Sequence, residues 1–167
     1  MKVKIRPATL KDLDTLVHQR HMMFEDMDHP TPEEHEIGDR AYRKWASREM
    51  RADRFVGFLA TTLSGRVVAG GCVWLQEVQP RPGFSGGRRP YLMSMYTEPK
   101  SRGAGLASLI VRQAMDWCKR KGYSRMTLHA SKMGRRVYKK IGWQRTWEMA
   151  IELPKKPEGS LGARPSR

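Results

Sequence analysis

Between a β-prone run at 91–97 and an amphipathic run at 104–121 stands the turn Lys-Ser-Arg-Gly-Ala-Gly-Leu-Ala at 100–107. Gly103 and Gly105 clear side chains from the point where strand gives way to helix. Successive backbone N–H groups can then converge, and the helix dipole adds positive potential. Such a turn suits a pyrophosphate, although a plain tight turn would use the same glycines. No Gly-Lys-Ser/Thr follows, so it is not a Walker A loop. The third glycine of a dinucleotide-binding fingerprint is missing, and the strand before the turn belongs to an antiparallel run.

The rest of the 167-residue chain reads as one α/β domain over 1–154, followed by a basic tail at 155–167 expected to be disordered. A strand is expected at 3–6. A helix at 10–27 opens on a Thr9/Asp12 capping box, and a second helix, running to about residue 50, opens on Thr31, Pro32 and Glu34. Runs rich in β-formers at 55–62 and 67–78 form a hairpin around Leu-Ser-Gly-Arg. A Pro/Gly/Arg loop at 79–90 leads to the strand at 91–97. After the helix at 104–121, the pattern predicts a strand at 125–130, a helix at 134–141 and a last strand at 143–153.

The formal charge of +15 suggests a nucleic-acid partner until it is divided by segment. Residues 1–80 hold 12 basic and 12 acidic side chains, whereas 81–145 hold 16 basic and two acidic ones. The neutral half carries a local acidic group: Glu25, Asp26, Asp28, Glu33, Glu34, Glu36 and Asp39. Opposite charges in two halves point to two partners of opposite sign, or to one reaction that joins an anionic and a cationic reactant. The acids equally suit an ordinary solvated helix start. Cys72 and Cys118 lie in apolar segments without zinc-ligand spacing, so no metal is expected and the thiols read as buried in a reducing compartment. With no apolar run of membrane-spanning length and no leader-like N-terminus, the expectation is a cytoplasmic protein without a membrane partner.

Taken with the later Tyr-Lys-Lys-Ile-Gly-Trp at 138–143, the glycine turn resembles the acetyl-CoA-binding motifs of the GCN5-related N-acetyltransferase (GNAT) superfamily. The N-terminal Ile-Arg-Pro-Ala-Thr and the element order extend the resemblance over the chain. It implies a mostly antiparallel twisted sheet flanked by helices, in which the fourth strand splays from the fifth. It also implies acetyl-CoA as co-substrate. Laid on the family pattern Q/R-x-x-G-x-G/A, Lys100 takes the Q/R place and Gly103 and Gly105 the glycine places. Ser131 stands where many members have Asn, and Trp143 where Phe is commoner.

By that resemblance, the amides of Arg102, Gly103, Ala104, Gly105, Leu106 and Ala107 take the pyrophosphate, and the Ser101 and Arg102 side chains assist. Backbone groups of Met95 and Thr97, flanking Tyr96, hold the pantetheine arm and thioester carbonyl, and Ser131 touches the cofactor. Tyr138 assists the departing thiolate. A free phenol near pKa ~10 lies about 1.5 units above a thiol, so hydrogen bonding is expected rather than full proton transfer. The strand at 91–97 has no carboxylate, and the general base is left among Glu77, His129, Glu25 and Asp28, or a water chain. Glu25 and Asp28 are also the candidates for drawing in the acceptor. Met22, Met23, Phe24, Met27, Trp45, Trp74, Met93 and Met95 either line an acceptor pocket or pack the core.

The reading is therefore an acetyl-CoA-dependent N-acetyltransferase acting on a primary amine by direct attack in a ternary complex, monomeric or homodimeric. Two rivals stand beside it. One is a nucleic-acid- or ribosome-associated binding module using Lys119-Arg120-Lys121, Arg135-Arg136 and Lys139-Lys140, although no helix-turn-helix, RRM or zinc motif is present. The other is a non-catalytic CoA-binding sensor.

Overall fold

The structure, a computed structural model, describes residues 2–80, 82 and 87–151. Strand β1 (Val3–Pro7) leads through a 3-10 turn at Leu10–Asp12 into α1 (Leu13–Glu25) and α2 (Pro32–Arg51). Then come β2 (Phe55–Thr62), β3 (Val67–Val78), β4 (Gly87–Thr97), a second 3-10 turn (Pro99–Ser101), α3 (Leu106–Arg120), β5 (Thr127–Leu128) and α4 (Arg135–Ile141). The five strands lie in sequence order in one sheet, antiparallel except for the parallel pair β4 and β5. This is the mixed α/β architecture the sequence predicts.

Side chains alternate across the sheet and build a core on each face. Phe58, Val68, Val73 and Leu92 pack with Leu106, Ile110, Val111 and Ala114 of α3. On the opposite face, Phe55, Leu59 and Cys72 pack with Leu16 and Val17 of α1 and Tyr42 and Ala46 of α2. Both cysteines are buried free thiols. Trp45, Trp74 and Met93 pack on the α1/α2 core and Met95 on the α3 core, so these members of the Met and aromatic set serve packing.

Both predicted helix starts form. The Thr9 amide donates to Asp12 Oδ2 at 2.8 Å, and Asp12 also accepts from both terminal nitrogens of Arg6, tying β1 to α1. The Glu34 amide donates to Thr31 Oγ1 at 3.3 Å, and the Thr31 amide returns the bond to Glu34 Oε2 at 2.8 Å.

Three boundaries differ from expectation. Strand β4 begins at Gly87, inside the stretch read as loop, because Gly87–Pro90 pair with β3. Pro90 had marked the boundary, yet at that position β4 has a neighbour on one side only, where a missing N–H is tolerated. The strand at 125–130 contracts to Thr127–Leu128. The strand at 143–153 does not form among the described residues 143–151. A two-residue β5 offers almost no ladder to pair with, and Trp147, Met149 and Ile151 stand exposed. The tail at 155–167 lies outside the described residues.

At the C-terminal end of α2, Glu49 is 4% exposed and accepts from Arg54 Nε at 2.7 Å, Arg54 Nη2 at 2.9 Å and Arg48 Nε at 3.0 Å. The Arg54 bonds chiefly hold its carboxyl at about 2, well below the usual glutamate value. A depressed carboxyl stabilises the fold above its ordinary pKa, and the contribution is lost as pH falls from about 4.5 toward about 2. Glu49→Gln is expected to lower stability at neutral pH by about 1–3 kcal/mol in urea unfolding. The variant should also lack that part of the acid destabilisation which the wild type shows across this window.

Candidate active site

The site is set by an extra residue in β4. Gly70 faces Tyr96 and Cys72 faces Met93, so two residues, Ser94 and Met95, oppose the single Gly71: a β-bulge. Ser94 takes a left-handed conformation, φ 51°, although it is not glycine, and it is buried. Met95 closes over Gly71, where a Cβ would stand 2.2 Å from its sulfur, so this close approach requires glycine. On its other edge β4 pairs with β5 only at Tyr91 and Leu92. Among the described residues no strand covers that edge at 93–97, so its backbone groups face a wedge opened between β4 and β5.

The glycine turn follows at once. Gly103 and Gly105 have φ of 80° and 76°, and a Cβ on either would meet nothing, so both are needed for backbone conformation rather than for space. Gly105 caps α3, whose first turn carries no acidic residue. The amides that open the helix lack i−4 acceptors and point out of its positive end. The pattern also fits the chain in a second register. Lys100 belongs to the Pro99–Ser101 turn. With Gly105 at the helix cap as the pattern's first glycine, Arg102 fills the Q/R place and Ala107 the final one, with no substitution needed.

Arg102 is the best-held side chain of the turn. Its Nε donates to the Thr97 carbonyl at 3.0 Å, its Nη2 pairs with Asp26 at the end of α1, and the guanidinium lies 5.9 Å from the Tyr96 ring centre. Asp26 was not singled out by sequence, although its place in an acidic run facing a basic half was the available signal.

Tyr138 projects from α4 beside Trp143, with ring centres 5.9 Å apart. The ring lies over Gly134, where a Cβ would come within 2.9 Å of it. Ser131 Oγ accepts from the Gly134 amide at 3.1 Å and so shapes the entry to α4. Burial, and secondarily the Tyr91 phenol, push Tyr138 up to about 12. Tyr91, where the pairing with β5 begins, hydrogen-bonds His129 Nδ1, and His129 Nε2 lies 3.3 Å from Glu148. The wedge, the turn and α4 thus bring Tyr138 and His129 to one side of the sheet end.

The remaining candidates are placed elsewhere. Glu77 faces Arg88, six positions along β4 from Ser94, or roughly 20 Å away. Glu25 is engaged by His35 Nε2 at 2.6 Å. Asp28 is exposed in the turn after α1. Most of the acidic group is exposed, and within it Glu25, Asp26, Glu36 and Asp39 each have an internal partner.

A model of the acetyltransferase (GNAT) family matches residues 20–143. Among solved structures, a GCN5-related N-acetyltransferase from Ralstonia eutropha JMP134 superposes with a TM-score of 0.81 at 23% identity, covering 91% of this chain and 99% of its own. A structure described as a "predicted acetyltransferase with acetyl-CoA" from Clostridium acetobutylicum gives 0.77 at 28% identity, covering 92% and 96%. A ribosomal-protein-alanine N-acetyltransferase from Brucella melitensis shares the fold at 0.68 and 18% identity, covering 92% and 100%. No curated protein matches by sequence. No helix among the described residues is long and apolar enough to cross a membrane.

Gly105→Ala places a Cβ at positive φ and is expected to cost about 1–2 kcal/mol in denaturant unfolding. The same change should weaken acetyl-CoA binding, whereas Gly65→Ala, at a hairpin tip of similar φ, should share the stability loss and leave that binding unchanged.

Proposed function

Since the chain belongs to the acetyltransferase (GNAT) family, whose members use acetyl-CoA, we propose that it transfers an acetyl group to a primary amine within a ternary complex at the β4/β5 wedge. The observation that carries this reading is the junction of an uncovered β4 edge with a glycine-capped helix start that has no acid in its first turn. These features fit the group: an extended amide-bearing arm needs a strand edge, and a pyrophosphate needs convergent N–H groups. Acetyl-CoA supplies the activated acetyl as a thioester, and the amine exchanges its N–H proton for the acetyl while CoA leaves as the thiol.

The chain's own groups divide the work. Amides from Arg102 to Ala107 and the Arg102 guanidinium hold the phosphates, and Met95, Tyr96 and Thr97 offer backbone groups along the wedge. Tyr138, near 12, lies about 3.5 units above an ordinary thiol, so handing over its proton would be uphill by roughly 5 kcal/mol. It keeps its proton and donates a hydrogen bond to the developing thiolate. His129, whose Nδ1 meets the Tyr91 hydroxyl and whose Nε2 faces Glu148, is the base candidate at the mouth of the wedge, and it receives the amine proton at Nδ1 once the Tyr91 hydroxyl swings aside. The two free buried thiols suit a reducing compartment such as the cytoplasm.

Calorimetric titration with acetyl-CoA tests the reading, and absence of binding at high micromolar ligand would sink it. Tyr138→Phe is expected to slow turnover with cofactor affinity nearly intact, measured as CoA thiol release over a panel of amines. The wild-type pH–rate profile should show no limb from this phenol below about pH 10, because the folded-state value lies above the ordinary one. Arg102→Ala should weaken acetyl-CoA binding about tenfold or more. Asp26→Asn, which frees Arg102, should tighten it by up to about fivefold.

A further inference from the structure

Helices α1 and α2 form an antiparallel pair whose facing surfaces carry matched spacings. His21 and Glu25 stand four apart on α1, and His35 and Asp39 stand four apart on α2, so each pair lies on one helix face. Across the gap, His21 Nδ1 lies 2.7 Å from Asp39 Oδ2 and His35 Nε2 lies 2.6 Å from Glu25 Oε1. The two imidazoles stack, with centres 3.7 Å apart and planes 17° from parallel.

Two ordinary His–carboxylate pairs would not need each other, and either could be hydrated separately. Instead, one ligand atom from each of His21, His35 and Asp39 falls within 4.8 Å of the others. His35 is 8% exposed, and Asp39 Oδ1 is buried without a hydrogen-bond partner among the described residues. The nearby cation Arg20 is turned onto the Phe24 and Tyr42 rings, at 4.6 and 4.7 Å.

We propose that His21, His35 and Asp39 form a site for a divalent transition-metal ion of the zinc class, clamping α1 to α2. Two imidazoles and a carboxylate are a donor set that suits Zn²⁺, Co²⁺ and Ni²⁺ rather than Mg²⁺ or Ca²⁺. Metal–ligand bonds of about 2.0–2.2 Å draw tetrahedral ligand atoms to roughly 3.3 Å apart. Side-chain rotation of an ångström or so achieves this from the present spacing and unstacks the rings. Glu25, held to His35 Nε2, leaves Nδ1 to face the metal and orients the ring from outside. Water completes the fourth position, and the part-exposed His21 gives an entry path. The sequence offers no Cys/His ligand spacing here, because the set is assembled from two helices.

The test uses the full chain without a histidine tag, stripped with chelator and titrated with Zn²⁺ by calorimetry and with Co²⁺ by visible absorption. The expected result is one equivalent bound at micromolar affinity or tighter, a tetrahedral Co²⁺ spectrum and a raised thermal midpoint. His21→Gln, His35→Gln and the near-isosteric Asp39→Asn should each weaken binding at least about tenfold, while His18→Gln, exposed on α1, should leave it unchanged. Circular dichroism of each metal-free variant establishes that it is folded, and Asp39→Asn decides the matter if a histidine variant is not. No binding, or binding that survives Asp39→Asn, would overturn the proposal. Mg²⁺ raising the midpoint as strongly as Zn²⁺ would overturn it as well.

Discussion

A strand that holds an extra residue opposite its neighbour must bend, and in β4 that residue is Ser94. Its positive φ is unfavourable for a side-chain-bearing residue, so packing has to hold it there. Tyr42 of α2, itself packed with Cys72 of β3, lies against Ser94, and the next residue, Met95, covers Gly71. The strand leaves β5 after Leu92, and on that edge its last residues keep polar backbone groups that no strand among the described residues satisfies. In a core those groups would be costly. At the sheet end, beside the positive end of α3, they are the edge proposed to hold the cofactor arm. The glycine turn follows directly on this bent segment, and Arg102 reaches back from it to the Thr97 carbonyl.

Electrostatics adds a second constraint. The chain separates a neutral N-terminal half from a strongly basic one, and an ion pair between Arg102 and Asp26 links them beside the glycine turn. This pair keeps a guanidinium beside the glycine turn while supplying it with a counter-charge. On the proposed function, an incoming phosphate anion competes with Asp26 for this guanidinium and is favoured by its greater charge and by the amides of the turn. On the same proposal, release of Asp26 leaves a carboxylate at the end of α1 that attracts an ammonium group. The same helix end holds Glu25, which bonds His35, so the contact to the glycine turn and the histidine cluster share a few residues at the end of α1.

Much of this was legible in the sequence wherever local rules decide structure. Caps at Thr9 and Thr31, the hairpin at Leu63 to Arg66, the amphipathic α3 and the glycine turn are dictated by neighbours in the chain, and each formed as expected. The last strand failed for a reason no local pattern contains. Alternation at Trp147, Met149 and Ile151 suits a strand, but strand formation needs a partner, and β5 is two residues long. The bulge was invisible too, because Ser94 is an ordinary β-strand residue by composition and its strain comes from packing. Asp26, and the pairing of His21 and Glu25 with His35 and Asp39, depend on how α1 lies against its neighbours. Glu77 shows the converse, since its chemistry suits a base but the register of β3 on β4 carries it away from the wedge.

The central claim is that the bulged edge of β4 and the glycine-capped start of α3 act together as one acetyl-CoA site. Amide hydrogen exchange, compared with and without acetyl-CoA, reads both elements at single-segment resolution. The account predicts that exchange slows at residues 95–97 and at 102–107 in parallel, with half-effects at the same ligand concentration, while β1 and β2 are unchanged. Slowing confined to another surface, or protection of the turn without the β4 edge, would contradict it.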